Sequence, residues 1–245
     1  MSIWGKVVGG AAGFAIGGPI GGLLGALAGH AVDRHMREAD NEGENTEGTQ
    51  QISFTIGVIV LSAKMAKADG QVTRDEIDVF RRAFHVPEHE LKNVGRLFNQ
   101  AKQDARGFEP YARQLATLFQ DRPAVLEDLL DILFHIARAD GVIHPAELTF
   151  LREVAAIFGF PETEFERIRA SHLGADRADP YTVLGVEPSV TDTELKKHYR
   201  QLIKEHHPDR LIAQGMPPEF IDVANDKLAA INTAYDAVCK QRGLS

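Results

Sequence analysis

Two histidines and an aspartate lie close together near the end of the chain, in the segment His206-His207-Pro208-Asp209. Imidazole and carboxylate groups are common metal ligands and acid–base catalysts. Neither chemistry is supported by the rest of the sequence, because it supplies no nucleophile–base pair and no phosphate-binding loop. We therefore expect a protein that acts by binding a partner and is not itself an enzyme.

Carboxylates also recur in a repeat in the middle of the chain. Residues 66–80, AKADGQVTRDEIDVF, match residues 137–151, ARADGVIHPAELTFL, and each copy has a glutamate seven residues after the aspartate of an Asp-Gly pair. This spacing is the second half of an EF-hand calcium loop, whose first half needs oxygen ligands four and two residues before that aspartate. Those positions hold apolar or basic side chains: Met65 and Lys67 in the first copy, Ile136 and Arg138 in the second. The sequence thus argues against an EF-hand.

The same residues favour helix ends. Gly70 and Gly141 suit the left-handed conformation that follows a helix. Thr73 and Glu76 fit a capping box for the next helix, and Pro145 fits the first turn of its counterpart. Apolar residues recur at three- and four-residue spacing throughout this part of the chain. Each copy therefore predicts two helices joined by a turn, and the two copies together predict a pseudo-symmetric helical bundle.

This part of the chain, residues 51–172, resembles the TerB family of domains associated with tellurite resistance. The resemblance implies an all-helical fold in which acidic residues bind a metal. Carried to this sequence, the ligands of a divalent ion would be the acidic residues of the two turns, Asp69, Glu76, Asp140 and Glu147. The alternative is that these side chains cap helices at a solvated end of the bundle.

The segment TDTELKKHYRQLIKEHHPDR, residues 191–210, predicts an amphipathic helix. One face carries Leu195, Tyr199, Leu202 and His206. Another face carries a basic stripe, made of Lys196, Arg200 and Lys204 with Lys197 beside them. Alone, such a stripe is usually a solvated face. Here it is followed directly by the HPD loop, His207-Pro208-Asp209, whose proline ends the helix.

These residues are similar to a J domain, the DnaJ-type module that activates DnaK-type chaperones. The shared features, in the family's order, are Y-x-x-L-G-V at residues 181–186, the basic helix, the HPD loop and an Ala234-Tyr235 pair. The resemblance implies that the basic helix docks on an acidic chaperone surface, while the HPD loop reaches the joint between the chaperone's domains. Tyr199 would either pack the two long helices together or meet the partner. The implied DnaK-binding residues are His207, Pro208, Asp209, Lys196, Lys197, Tyr199, Arg200 and Lys204.

The first part of the chain holds an uncharged, glycine-rich stretch, VVGGAAGFAIGGPIGGLLGALAGHAV, residues 7–32. Its glycine ladder places a glycine at every fourth residue: Gly5, Gly9, Gly13, Gly17, Gly21, Gly25 and Gly29. This spacing lets membrane helices pack closely, and the stretch is long enough for the ~20 apolar residues that span a bilayer. A membrane anchor is the first interpretation, a secretory signal peptide the second and a soluble tail the third. The Gly17-Gly18-Pro19 segment would kink one spanning helix or fold two half-helices into a hairpin.

The composition of the chain narrows the partners and the kinds of site that we expect. The 245-residue chain has a formal net charge of −8, which argues against a nucleic-acid partner. Cys239 is the single cysteine, so an internal disulfide framework and a CxxC zinc site are excluded. We expect no cofactor apart from the divalent ion proposed above. The acidic, polar residues 37–50 and the short stretch 173–179 predict linkers.

Together these features predict an all-α protein with a glycine-rich membrane anchor (residues 1–36), a TerB-like helical bundle (51–172) and a J domain with a helical hairpin (180–245). This order of parts resembles the DjlA family of membrane-anchored bacterial co-chaperones. The resemblance implies the inner membrane, with the N-terminus outside and both domains in the cytoplasm, and so argues against a cleaved signal peptide. The expected partners are a DnaK-type chaperone, the membrane and further copies of the chain through the glycine ladder. The alternative function is a metal-binding or envelope-stress-sensing protein that works through the TerB-like bundle.

Overall fold

The computed structural model describes residues 3, 17–28, 46–69, 86–104, 107–139, 141–173 and 178–244. All regular secondary structure within these ranges is helical, which confirms the predicted all-α class. We refer to residues 46–173 as the middle domain and to residues 178–244 as the C-terminal domain. The α-helices, in chain order, are α1 (Gly18–Ala28), α2 (Thr46–Asp69), α3 (Leu91–Gln103), α4 (Glu109–Leu118), α5 (Pro123–Ala137), α6 (Pro145–Ile157), α7 (Glu162–Ser171), α8 (Pro180–Leu184), α9 (Asp192–Glu205), α10 (Pro208–Ala213) and α11 (Ile221–Arg242).

Helix α2 forms the centre of the middle domain. It is buried on every side from residue 52 to residue 66, and a mainly apolar helix of this kind has to be covered all round. Helices α3, α4, α5 and α6 pack around it. Gly57 permits a close approach to α4, because a Cβ at this position would lie 2.7 Å from Leu115 Cδ1. The core of the middle domain is therefore one buried helix with its covering helices.

The start of α2 corrects a predicted boundary. The helix begins at Thr46, inside the acidic linker predicted for residues 37–50. The end of that segment is helical because Gln50 is buried and accepts a hydrogen bond from Arg122, whose guanidinium also donates to the backbone oxygen of Gln214. These contacts tie the first turns of α2 to the rest of the fold, which a polar composition alone does not reveal.

The second copy of the internal repeat forms the turn that its residues predict. Helix α5 ends just before the Asp-Gly pair, Gly141 has a left-handed φ of 91°, and α6 begins at Pro145. The corresponding turn of the first copy, with Gly70, Thr73 and Glu76, lies outside the described residues. The left-handed conformation of the glycine is thus confirmed for the second copy, although α5 itself ends earlier, at its C-cap Arg138.

Helix α1 begins at Gly18, where the backbone of two consecutive glycines is left-handed. Gly17 and Gly18 both have φ values of 59°, which L-residues rarely adopt. Gln114 of α4 holds this left-handed segment: its Nε2 donates to Gly17 O over 3.0 Å, and its Oε1 accepts from Ile20 N over 2.9 Å. The side chains of Ile20 and Leu23 are buried against the middle domain. The backbone therefore departs from right-handed helical geometry at Gly17-Gly18, where the sequence predicted a kink or a turn.

Helix α1 is 11 residues long, fewer than the ~20 residues that span a bilayer. Among the helices of the described ranges, none is both long and apolar enough to cross a membrane. Four glycines of the ladder, Gly5, Gly9, Gly13 and Gly29, lie outside these ranges.

The C-terminal domain is a helical hairpin with a short helix at its base. Helices α9 and α11 pack against each other, and α8 packs against α11. Arg242, the last residue of α11, fastens this base: it donates to Tyr181 Oη over 3.0 Å, to Val190 O over 2.7 Å and to Asp192 Oδ1 over 2.8 Å. The domain's own core includes Leu184, Leu195, Leu202, Ile231 and Val238.

The two domains also share an apolar core. Five side chains of the C-terminal domain, all within residues 211–224, belong to the core of the middle domain: Leu211, Met216, Phe220, Val223 and Ala224. We call residues 211–224 the docking segment. Phe220 packs edge-on against Phe54 of α2, with ring centroids 5.3 Å apart. The domains are therefore docked together as well as joined along the chain.

Phe220→Ala should destabilise the middle domain, although this residue lies in the C-terminal domain. The side chain is fully buried, and removing a buried phenylalanine ring lowers the free energy of unfolding by about 3–5 kcal/mol. Chemical denaturation followed by the helical circular-dichroism signal measures this change. Val142→Ala, at an exposed position, is the control and should change the free energy by less than about 0.5 kcal/mol. Equal values for Phe220→Ala and the wild type would contradict the docking.

Candidate functional site

The helix that carries the basic stripe has a well-defined start. Thr191 and Glu194 form a capping box at the first turn of α9: Glu194 N donates to Thr191 Oγ1 over 3.3 Å, and Thr191 N donates to Glu194 Oε2 over 3.2 Å. The side chains of Leu195 and Leu202 are buried against the rest of the C-terminal domain. The orientation of α9 about its axis is thereby fixed, as its apolar face predicted.

Tyr199 joins the two long helices. Its ring stacks on Tyr235 of α11, with ring centroids 3.9 Å apart and planes 12° from parallel. Its hydroxyl donates to Asn232 Oδ1 over 2.9 Å. Of the two roles proposed from the sequence, helix packing is therefore the one that the structure shows.

The basic stripe lies on the outer side of α9. All four of its side chains are exposed: Lys196, Lys197, Arg200 and Lys204. They line one wall of an open groove between α9 and α11, and the opposite wall carries Lys240 and Asp236. The groove is thus predominantly cationic and fits an acidic surface.

The HPD loop connects α9 to α10. Helix α9 ends at Glu205, and Pro208 is the first residue of α10, so the proline ends one helix as predicted and also begins another. His207 caps α10, since its Nδ1 accepts a hydrogen bond from Asp209 N over 3.3 Å. Pro208 is buried, whereas the side chains of His207 and Asp209 are 53% and 89% exposed. The buried proline therefore holds the loop in place, while the imidazole of His207 and the carboxylate of Asp209 face solvent.

His206 does not share the environment of the HPD loop. Its side chain is 3% exposed and points into the middle domain, where Nε2 lies 3.6 Å from Glu127 Oε1 and Nδ1 lies 3.7 Å from Asp128 Oδ1. The cluster of two histidines and an aspartate in the sequence is thus split between the surface and the interior. Within the described ranges, no group of three histidine, cysteine, aspartate or glutamate side chains is arranged to hold a metal ion.

The predicted ligands of a divalent ion are mostly not described. Glu76, Asp140 and the side chain of Asp69 lie outside the described residues. Glu147 is 2% exposed, and its Oε2 accepts a hydrogen bond from His144 N over 2.9 Å at the start of α6. This is the capping role that the sequence offered as the alternative to metal binding, but the side chain is buried and not at a solvated end of the bundle. The divalent-ion hypothesis for the four residues stays a prediction.

Sequence reasoning did not identify the second wall of the cationic groove. Lys240 lies 36 residues after Lys204 and joins the basic stripe only because α11 folds back along α9. A helical-wheel comparison of the two helices would have shown Lys240 on the same face as Asp236. Which of these residues faces α9, however, depends on how the helices pack.

A helical hairpin with an exposed HPD loop beside a cationic groove defines a J-domain protein. In agreement, residues 179–242 match the family described as DnaJ domain. Residues 55–170 match the family Tellurite resistance protein TerB, and residues 1–51 match Co-chaperone DjlA transmembrane domain.

Whole-chain relatives define the family more narrowly. The Co-chaperone protein DjlA of Photobacterium profundum is 33% identical over 98% of this chain and 99% of its own length. The protein of the same name from Aliivibrio fischeri is 31% identical over 100% of both chains. The one from Coxiella burnetii is 32% identical over 74% of each chain. No solved structure matches the chain. The chain belongs to the DjlA family, and the match of residues 1–51 suggests that it is anchored in a membrane.

Proposed function

We propose that this protein is a regulatory co-chaperone that stimulates ATP hydrolysis and substrate capture by a DnaK-type chaperone at the cytoplasmic face of the bacterial inner membrane. The observation that carries the proposal is the exposed HPD loop at the end of a cationic groove. The names of the relatives, Co-chaperone protein DjlA, support the same role.

The groove supplies the first step, attraction to an acidic surface of the chaperone. Exposed cations mainly raise the rate of association and select an orientation, and their effect is screened by salt. The positive groove therefore brings the chaperone to α9 even though the whole chain has a net charge of −8.

The HPD loop supplies the second step, contact with the moving part of the chaperone. His207 and Asp209 offer hydrogen-bonding groups from a loop whose buried proline limits its freedom. A regulator shifts a conformational equilibrium only by binding one state more tightly than the other. We propose that these two side chains bind the hydrolysis-competent arrangement of the chaperone's domains, so that the chemistry remains the chaperone's own.

Membrane attachment belongs to the same proposal. Residues 1–36 would anchor the chain with its N-terminus outside, α1 exchanging its contacts with the middle domain for lipid, and both domains would then lie where ATP and the chaperone are present. The remaining glycines of the ladder, on either side of the break at Gly17-Gly18, would let copies of the chain approach closely in the bilayer. Chemical cross-linking in native membranes tests this self-association.

His207→Gln should abolish stimulation of the chaperone's ATPase and leave the fold intact. The side chain is half exposed and makes one local capping contact, so its replacement should lower the free energy of unfolding by only about 1 kcal/mol. Single-turnover ATP hydrolysis by the chaperone measures the effect. His89→Gln, at an exposed histidine of the middle domain, is the matched control and should stimulate like the wild type. Full stimulation by a folded His207→Gln protein would remove the proposed role of the loop.

Reversing Lys196, Arg200 and Lys204 to glutamate should weaken chaperone binding without unfolding the protein, because all three side chains are exposed. For the wild type, raising the ionic strength from about 0.05 to about 0.5 M should weaken binding in the same direction, because salt screens charges that are a Debye length apart. Calorimetric titration with the chaperone measures both effects.

The matched control for this reversal changes three basic residues on the surface of the middle domain, Lys92, Arg96 and Arg113, to glutamate. It alters the net charge by the same amount and should bind the chaperone like the wild type. If both triple variants lose affinity equally, net charge matters and the groove does not.

A further inference from the structure

A lysine of the C-terminal domain is buried among carboxylates of the middle domain. Glu127, Asp128 and Asp131 lie on α5, and Lys227 of α11 enters the group with its side chain 4% exposed. Its ammonium donates a hydrogen bond to Asp128 Oδ1 over 3.2 Å, lies 2.7 Å from Asp131 Oδ2 and contacts Glu127 Oε1. We call these four residues the Lys227 cluster. A buried charge of this kind is stable only while its partners remain in place.

Two side chains of the middle domain already contact two of the three carboxylates. Arg167 Nη2 lies 2.6 Å from Glu127 Oε1, and His172 Nε2 lies 2.7 Å from Asp131 Oδ1. Asp128 differs, because the basic side chains that contact it among the described residues, the Lys227 ammonium and the His206 ring, both belong to the C-terminal domain. Asp128 therefore depends on docking for its counter-charge.

His206 connects the Lys227 cluster to the HPD loop. It directly precedes His207 in the chain, and its buried ring lies between Glu127 and Asp128. If the backbone of His206 moves away from α5, the next residue, which belongs to the HPD loop, moves with it. The position of the loop is thus coupled to the carboxylates of α5.

The other end of α10 is held by the same domain. Leu211 is fully buried in the core of the middle domain. Arg122, at the start of α5, donates from Nη1 to the backbone oxygen of Gln214 over 2.8 Å. The short helix that begins in the HPD loop is therefore fixed at both ends, while the side chains of His207 and Asp209 remain exposed.

We infer that the middle domain positions the HPD loop, and that Lys227 and His206 are the positioning residues through which the carboxylates of α5 hold it. This role rests on the proposed function, since it concerns how the loop is presented to the chaperone. Docking leaves the loop accessible, so the middle domain acts as a platform and not as a cover. The TerB-like part of the chain thereby gains a function that needs no bound metal.

Lys227→Met in the full-length protein tests the inference. Methionine keeps an unbranched side chain of similar length but removes the charge. Hydrogen exchange should become faster in the docking segment, for example at Met216 N, which is bonded to Leu211 O, while α9 stays protected. The chaperone concentration for half-maximal ATPase stimulation should rise about tenfold, and the maximal rate should stay similar, because only a fraction of the molecules now present the loop correctly.

A second substitution should restore the positioning. In Lys227→Met with Asp128→Asn, Glu127 keeps Arg167 and Asp131 keeps His172 as a partner, and the carboxylate that depended on Lys227 is no longer present. This double variant should recover slow exchange and most of the affinity. Lys92→Met, at an exposed lysine of α3, is the matched control and should behave like the wild type. If Lys227 had only a structural role, the half-maximal chaperone concentration would not rise while the maximal rate stayed the same.

Arg122→Ala covers the case in which Lys227→Met fails to fold. It releases the far end of α10 without leaving a buried carboxylate unpaired, and it should also raise the half-maximal concentration. Three results would overturn the inference and leave the proposed function standing. The half-maximal concentration could stay unchanged although the domains undock, or stimulation could become stronger. The domains could also stay docked without the Lys227 charge. A wild-type protein that gives no stimulation at all would instead remove the proposed function, and the positioning role with it.

Discussion

The docking of the two domains depends on a buried ammonium, that of Lys227. Burial alone would lower the pKa of Lys227 and raise the pKa values of Glu127 and Asp131. The opposite charges outweigh it: the pKa of Lys227 lies above its usual value, and those of Glu127 and Asp131 lie below theirs. These groups therefore stay ionised at neutral pH, and removing one partner from such a buried set costs about 3–5 kcal/mol. The docked state in which all these buried charges are paired is consequently favoured over states in which one of them has lost its partner.

The sequence predicted the parts of the site that depend on local structure. The spacing of Leu195 and Leu202 defined the buried face of α9, and the exposure of the basic stripe followed from it. Pro208 marked the end of that helix, and Gly141 marked the left-handed residue in the turn between α5 and α6. These features could be predicted because helix periodicity, proline geometry and positive φ act over a few residues and do not depend on distant contacts.

The interface between the domains could not be predicted in the same way. In the sequence, Glu127, Asp128 and Asp131 are acids in a helix, a pattern that usually indicates a solvated face, and Lys227 is an ordinary lysine near the start of α11. Their burial follows from the docking segment, which brings residues about 100 positions apart into contact. One signal was present: Lys227 lies four residues after Val223 and four before Ile231, on a helix face that is otherwise apolar. A charge on such a face needs a partner, but the pattern does not name it.

Native-state hydrogen exchange in increasing denaturant tests most directly whether the two domains form one docked unit. The measurement gives a free energy of opening and its denaturant dependence for each helix. The account predicts that the slowest amides of α5 and α11 share both values, because neither helix can lose its partner without exposing the buried charges. Exchange of α11 at a lower free energy than α5, with a smaller denaturant dependence, would show that the C-terminal domain opens independently and would contradict the account.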